Sequence, residues 1–389
     1  MSNSRSRFRA AVLVAVATMV TAVPSQAAPH GHHGRPAQVG FWAGETNTRC
    51  AAAVCPRDLS VYTPALWNAL REGHGALYFD LIYGQDFGPG ASRNDAVPLL
   101  HKANSLGITV KAWITVPVAN GTFANENNAD EQDAAVKAFD AFRHSQGLTI
   151  DEAILDLEFP AGYQAATDLT DPAKLARYRG AVDPVHQCAA IRSYAATISW
   201  AHRQGLVLSG SPVPFAVDDL HNGDLGMADA IDIAPLFPHG YDHLYLQAYR
   251  TYSDAGPDYV AGYLNEMHQR FGRAGEVSLG DTSQGPPYST AADLVADVRL
   301  SVALGATAIP VFDLDSTANK IGADGILQVL QATAHPMSRA EVAVASAPTP
   351  TTTSTRTFFS GLDAAGTAIS PHANAYPTGC PVKVAPLAD

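Results

Sequence analysis

The chain has 389 residues, 47% of them hydrophobic, with 25 Lys and Arg against 37 Asp and Glu and a formal net charge of −12. So acidic a balance argues against a nucleic-acid partner, which needs a basic footprint, and it suits a neutral sugar polymer without selecting one. Beyond the N-terminal segment no stretch reaches the roughly 20 apolar residues of a spanning helix, so no membrane anchor is expected.

The chain opens with Arg5, Arg7 and Arg9, continues with an apolar or small run from Ala10 to Val23, and then shows Ser25-Gln-Ala27 before Ala28-Pro29. These are the three regions of a secretory signal peptide, expected to span residues 1–27. Its removal takes away three arginines and no acid, moving the charge from −12 to −15. The mature protein is expected to be secreted to the extracellular space. Residues 28–37, with the His-rich stretch His30-Gly-His-His33, are expected to form a flexible end.

From there a strand-like run followed by a helix-like stretch recurs. The strands expected, in order, are Val39 to Ala43, Ala76 to Gly84, Ile108 to Pro117 (with Lys111 its one charge), Glu152 to Pro160, Leu206 to Pro214, His243 to Arg250, Glu276 to Asp281 and Ala306 to Asp315. Between them, Thr63 caps a helix over Pro64 to Glu72, Asp130 to Gln146 stops at Gly147, and Asp258 to Phe271 and Thr290 to Leu304 complete the pattern. Alternation of this kind means parallel strands joined by crossover helices. Eight units over about 300 residues predict an α/β fold, a single-domain (β/α)₈ TIM barrel over residues 38–335, followed by a low-complexity linker and tail over 336–389. The open doubly wound alternative lacks its phosphate loop, since no Gly-x-Gly-x-x-Gly or Walker sequence follows any strand. The connections Ala161 to Gln187 and Phe215 to Asp242 exceed ordinary loop lengths and are expected to shape a cleft above the barrel. Trp67 and Trp200 fall in helical patterns and are expected in the core, and His239 in a loop.

Barrel enzymes carry their chemistry at the C-terminal strand ends. Those ends collect Trp42 and Glu45, Tyr83, Asp86, Trp113, Asp156 and Glu158, Gln247 and Tyr249, Asp281, then Asp313 and Asp315. Aromatic faces stack on sugars while carboxylates and amides bond hydroxyls, so the mixture points to carbohydrate. For Asp86 and Asp315 a helix cap is an equal reading. Asp156 and Glu158 stand out. Two residues apart on a strand, they face one side about 6 to 7 Å apart, the disposition of an acid and a helper carboxylate.

The fourth strand, Asp151-Glu-Ala-Ile-Leu-Asp156-Leu-Glu158, resembles the Asp-Gly-x-Asp-x-Asp-x-Glu signature of family-18 glycoside hydrolases, the chitinases and endo-N-acetylglucosaminidases. Gln247-Ala-Tyr249 on the sixth strand is similar to that family's Met/Gln-x-Tyr. The resemblance implies that Glu158 is the general acid, that Asp156 orients the substrate's 2-acetamido group, and that Tyr249 bonds the acetamido oxygen. Gln247, Trp42, Tyr83, Trp113, Asp281 and Asp313, from the list of strand ends, are the substrate-binding candidates, and the resemblance calls for no metal or organic cofactor. An ionised Asp156 would raise the pKa of Glu158. Departures are Glu152 for the Gly, Ile154 for the middle Asp, no Ser-x-Gly-Gly on the third strand, and Phe312 where a Trp is common.

Three rivals remain open. Glu158 could work with Asp281 or Asp313 as a two-carboxylate glycosidase on sugars without an N-acetyl group, or the barrel could bind sugar without cleaving it. A metal-dependent phosphodiesterase is disfavoured, because His74 and His101 form no His pair with nearby acids. Four cysteines allow three pairings, of which Cys50–Cys55 with Cys188–Cys380 is expected, and their spacing argues against structural zinc.

Overall fold

The computed structural model describes residues 37–44, 57–160, 183–219, 226–236, 240–252, 254–352 and 380, all within the compact unit Pro36–Asp389. Residues 1–36, including the segment expected to be a signal peptide, lie outside the described residues, as do Glu45, Cys50, Cys55, His239 and most of the tail.

Eight parallel strands form the centre: β1 (Gln38–Ala43), β2 (Ala76–Ile82), β3 (Thr109–Thr115), β4 (Glu152–Leu157), β5 (Val207–Pro212), β6 (Leu244–Gln247), β7 (Gly275–Ser278) and β8 (Ala308–Val311). They pair in the order β7-β6-β5-β4-β3-β2-β1-β8. The ring closes where the Leu279 amide donates to the Pro310 carbonyl and the Phe312 amide to the Leu279 carbonyl, both at 2.8 Å. Each crossover is helical: α1 (Pro64–Glu72), α2 (Ala96–Ser105), α3 (Ala129–Ser145), α4 (Pro184–Arg203), the short α5 (Pro214–Asp219) and α6 (Gly226–Ala230), α7 (Pro257–Phe271) and α8 (Ala291–Ala303), with α9 (Leu314–Gln331) after the last strand. The fold is a (β/α)₈ barrel.

Strand periodicity sorts the side chains into two layers. Phe41, Leu77, Phe79, Val110, Leu155, Leu208, Leu246, Val277 and Ile309 point outward into the main core beneath the helices, while Trp42, Tyr78, Trp113, Ile154 and Tyr245 fill the lumen. The lumen is packed tightly enough to demand a glycine on β1. A Cβ at Gly40 would lie 2.5 Å from the Tyr78 ring. Helix starts follow the caps in the sequence, Thr63 accepting from the Leu66 amide and Thr290 forming a capping box with Asp293. Trp67 is buried in the core and Trp200 packs against it.

The stretch expected to be linker begins with a helix, α10 (Arg339–Ala345), opened by a capping box of Ser338 and Glu341. The polar run that follows is also tied down. Asp258 of α7 accepts from the Thr349 amide at 3.1 Å and the Thr352 hydroxyl at 2.8 Å, which a composition reading cannot foresee. Cys188 and Cys380 form a disulfide. Among the described residues no helix is long and apolar enough to cross a membrane.

Candidate active site

Inward-facing positions at the C-terminal ends of β4 and β6 bring Asp156, Glu158 and Gln247 together. The Gln247 side-chain amide donates to Asp156 Oδ1 at 2.8 Å and to Glu158 Oε1 at 2.7 Å, with a longer approach of 3.4 Å to the Ser211 carbonyl on β5. An amide nitrogen has two hydrogens, and here both are used to hold the two carboxyls side by side. Glu158 also hydrogen-bonds Asp156 directly, and burial pushes its carboxyl above the ordinary value, the bonds from Gln247 and Asp156 offsetting only part of that rise. Two carboxyls in such contact favour one shared proton over two charges. The raised pKa therefore has a different cause from the one the sequence suggests: burial does it, while the Asp156 hydrogen bond works the other way.

The backbone of this pair is held from the β3 side. The Ala124 amide donates to the Asp156 carbonyl at 2.8 Å, and the Glu158 amide to the Ala124 carbonyl at 3.2 Å. Beneath Asp156, the position of the family signature's middle acid holds Ile154, fully buried among the lumen aromatics. The next acid down, Glu152, pairs with Lys111 at 2.8 Å and takes no part in the mouth.

The aromatic candidates separate by face. Trp42 and Trp113 lie inside the barrel with ring centroids 5.2 Å apart, Trp42 Nε1 donating to Ser278 Oγ at 2.9 Å and Trp113 Nε1 buried without a partner among the described residues. Tyr249 is buried, its ring stacked on Phe312 at 5.5 Å. Gly280 permits this crowding, since a Cβ there would stand 2.8 Å from the Phe312 carbonyl oxygen and 3.1 Å from the Tyr249 ring. Tyr83 turns outward, its ring 5.8 Å from Phe87 and against the main core.

The remaining acids are engaged locally. Asp281 accepts from the Ser283 amide at 2.7 Å, and Asp313 caps α9 by accepting from the Ser316 amide at 2.7 Å and its hydroxyl at 3.0 Å. Burial, then Asp281, raises the Asp313 carboxyl against those bonds. Asp86 caps no helix: Arg57 grips both its oxygens at 2.7 and 2.8 Å, and Arg93 bonds it as well. Asp315 sits in the first turn of α9, pushed up to about 7 by burial, then by Asp313 and Asp58.

One lumen-facing acid escapes a list of strand ends. Asp80 on β2 is 3% exposed, accepts from Thr115 Oγ1 at 3.0 Å, and is pushed up to about 6 by burial. The signal was present as a single acid in an apolar strand, in phase with inward-facing Tyr78.

If Gln247 sets the charge state of the pair, Gln247→Leu has a directional effect. Losing the donor removes an influence that favours ionised Glu158. The basic limb of the kcat–pH profile is expected to move to higher pH, and an unmoved limb would separate Gln247 from the acid.

No protein family and no curated protein matches this chain. Solved structures with which it superposes include the glycoside hydrolase domain of PgaB (BpsB) from Bordetella bronchiseptica, at 12% identity and TM-score 0.45 over 69% of this chain and 96% of that one. The catalytic domain of a family GH18 chitinase from the fern Peteris ryukyuensis superposes at 12% identity and TM-score 0.42 over 76% and 99% of the two chains. For PbGH5A, a family 5 glycoside hydrolase from Prevotella bryantii B14, the values are 9%, 0.46, 77% and 96%.

Proposed function

We propose that this chain is a secreted glycoside hydrolase with Glu158 as general acid and Asp156 as its partner. The observation that carries the reading is the single Gln247 amide bonded to both carboxyls at the barrel mouth. Glu158, whose hold on its proton burial strengthens, gives that proton to the glycosidic oxygen. Asp156 accepts from the N–H of a 2-acetamido group whose carbonyl oxygen attacks the anomeric carbon, and Glu158 then takes a proton from the water that opens the resulting ring. The substrate is a glycan bearing N-acetylated sugars, and Trp113 Nε1, a donor without a partner among the described residues, supplies a bond to it. The two-carboxylate alternative has less support, because both acids are held by their own loops: Asp281 Oδ1 accepts from the Ser283 amide and Oδ2 meets Gln284 Nε2 at 3.4 Å, while Asp313 accepts from the Ser316 amide and hydroxyl.

The test is hydrolysis by the mature protein of paired polymeric glycans with and without N-acetyl groups. Cleavage confined to the N-acetylated member supports acetamido participation. Equal cleavage of both overturns that step, and cleavage of neither overturns the enzymatic reading.

A further inference from the structure

The segments after β3 and β5 and the start of α4 bring together a second polar group, distinct from Asp156 and Glu158. Glu126 opens the short 3₁₀ turn Glu126–Asn128 after β3, His186 lies in the first turn of α4, and Asp232 lies between α6 and β6. A carboxylate oxygen of Glu126, a ring nitrogen of His186 and a carboxylate oxygen of Asp232 all lie within 4.8 Å of one another.

Glu126 is 3% exposed, and among the described residues neither of its oxygens has a hydrogen bond of good geometry, the Gln187 side chain approaching it only loosely. A buried carboxyl left so poorly bonded is costly and calls for an explanation. Asp229 and Asp232 both act electrostatically on Glu126, and acids gathered so closely favour a cation among them.

The surroundings are built to orient ligands. His186 Nε2 stands 3.2 Å from Asn127 Oδ1, a contact that holds one ring nitrogen as N–H and leaves the other a lone pair. Asp183 accepts from the Val185 and His186 amides, and its own amide donates to Asp229 Oδ1 at 3.1 Å, which fixes the start of α4 against the loop bearing Asp232. His186 and Asp232 are only partly buried, so an ion has a way in.

We propose that Glu126, His186 and Asp232 form a divalent metal site that fastens the segments after β3 and β5 to the start of α4. One imidazole with two carboxylates favours a zinc-type ion over calcium or magnesium, which prefer all-oxygen sets. The site bears on the mouth through Ala124, two residues before Glu126, which bonds the backbone of both Asp156 and Glu158. Its role is to position, and it stands whether or not those two carboxyls cleave a sugar.

The test uses the full chain with His30, His32 and His33 replaced by Ala, so that the His-rich N-terminal stretch adds no ions. After chelator treatment, calorimetric titration with Zn²⁺ is expected to show one equivalent bound and a rise in melting temperature. Glu126→Gln and His186→Gln are each expected to weaken binding by at least about 100-fold and to abolish the rise. Glu126→Gln replaces a buried carboxyl by an amide of the same shape, so in the absence of metal it is expected to fold at least as well as the parent. Absence of stoichiometric binding, binding unchanged in both variants, or preference for Ca²⁺ over Zn²⁺ would each overturn the assignment.

Discussion

Glu158→Gln is expected to lower kcat by about 10²- to 10⁴-fold, the contribution of a positioned general acid, with the fold intact. The new amide keeps an oxygen for the Gln247 donor that now bonds Glu158 Oε1 at 2.7 Å. Stability gives an independent sign. The folded Glu158 carboxyl holds its proton more tightly than an unfolded one, so its contribution to stability falls as pH rises from the unfolded pKa to the folded one. The Gln variant lacks that fall and is expected to be no less stable at neutral pH, as urea unfolding will report. Asp156→Asn is expected to depress kcat strongly as well. If the two act as one unit, the double variant loses little more than either single one. A Glu158→Gln enzyme within threefold of wild type, or a loss traced to unfolding, would sink the assignment. Asp281→Asn and Asp313→Asn serve as comparisons. Their expected damage is to the loop after β7 and the cap of α9, so a loss from either as deep as that of Glu158→Gln, in a folded protein, would revive the two-carboxylate mechanism.

Much of the barrel was legible because its signals are local. All eight strands fall within a few residues of the apolar runs, and Thr63, Gly147 and Thr290 mark helix ends where a side chain or a glycine must satisfy the backbone. Asp156 and Glu158 were legible for the same reason, since a period of two fixes their common face. The rest of the mouth depends on parity and distant partners. A list of strand ends does not say which side chains face inward, so Tyr83 enters it although its ring packs outward, while Asp80, in phase with Tyr78, is passed over. Asp86 reads equally as a rim acid or a helix cap until Arg57, 29 residues earlier, is seen on it. Glu126 sits in an Asn-rich turn without any motif, and only the folding of three segments brings His186 and Asp232 to it.

Lys111→Met is expected to cost about 3–5 kcal/mol of stability, the range for removing one member of a buried ion pair. Lys111, the one charge in an apolar strand, points into the barrel. Its ammonium lies 2.8 Å from Glu152 Oε2 and 2.7 Å from the Tyr245 hydroxyl, and 5.1 Å from the ring centres of both Tyr78 and Tyr245. Glu152 Oε1 accepts from Ser209 and Tyr245 at 2.8 Å each, so the carboxylate is fully dressed only while the lysine is present. Burial alone would raise the Glu152 pKa, but the charge of Lys111 and the hydrogen bonds carry it below the ordinary value. A depressed folded pKa means the pair's contribution is complete above the unfolded pKa and is lost as pH falls through the folded one. In Lys111→Met the balance reverses. Burial prevails, the Glu152 pKa rises, and the deficit measured by urea unfolding is expected to be largest at high pH and to shrink as the carboxyl takes up a proton. Adding Glu152→Leu to Lys111→Met removes the stranded charge and is expected to recover much of the loss. A deficit below about 1 kcal/mol, or one independent of pH, would mean that water reaches Glu152 through the barrel floor and that aromatic packing around Ile154 alone holds the lumen closed.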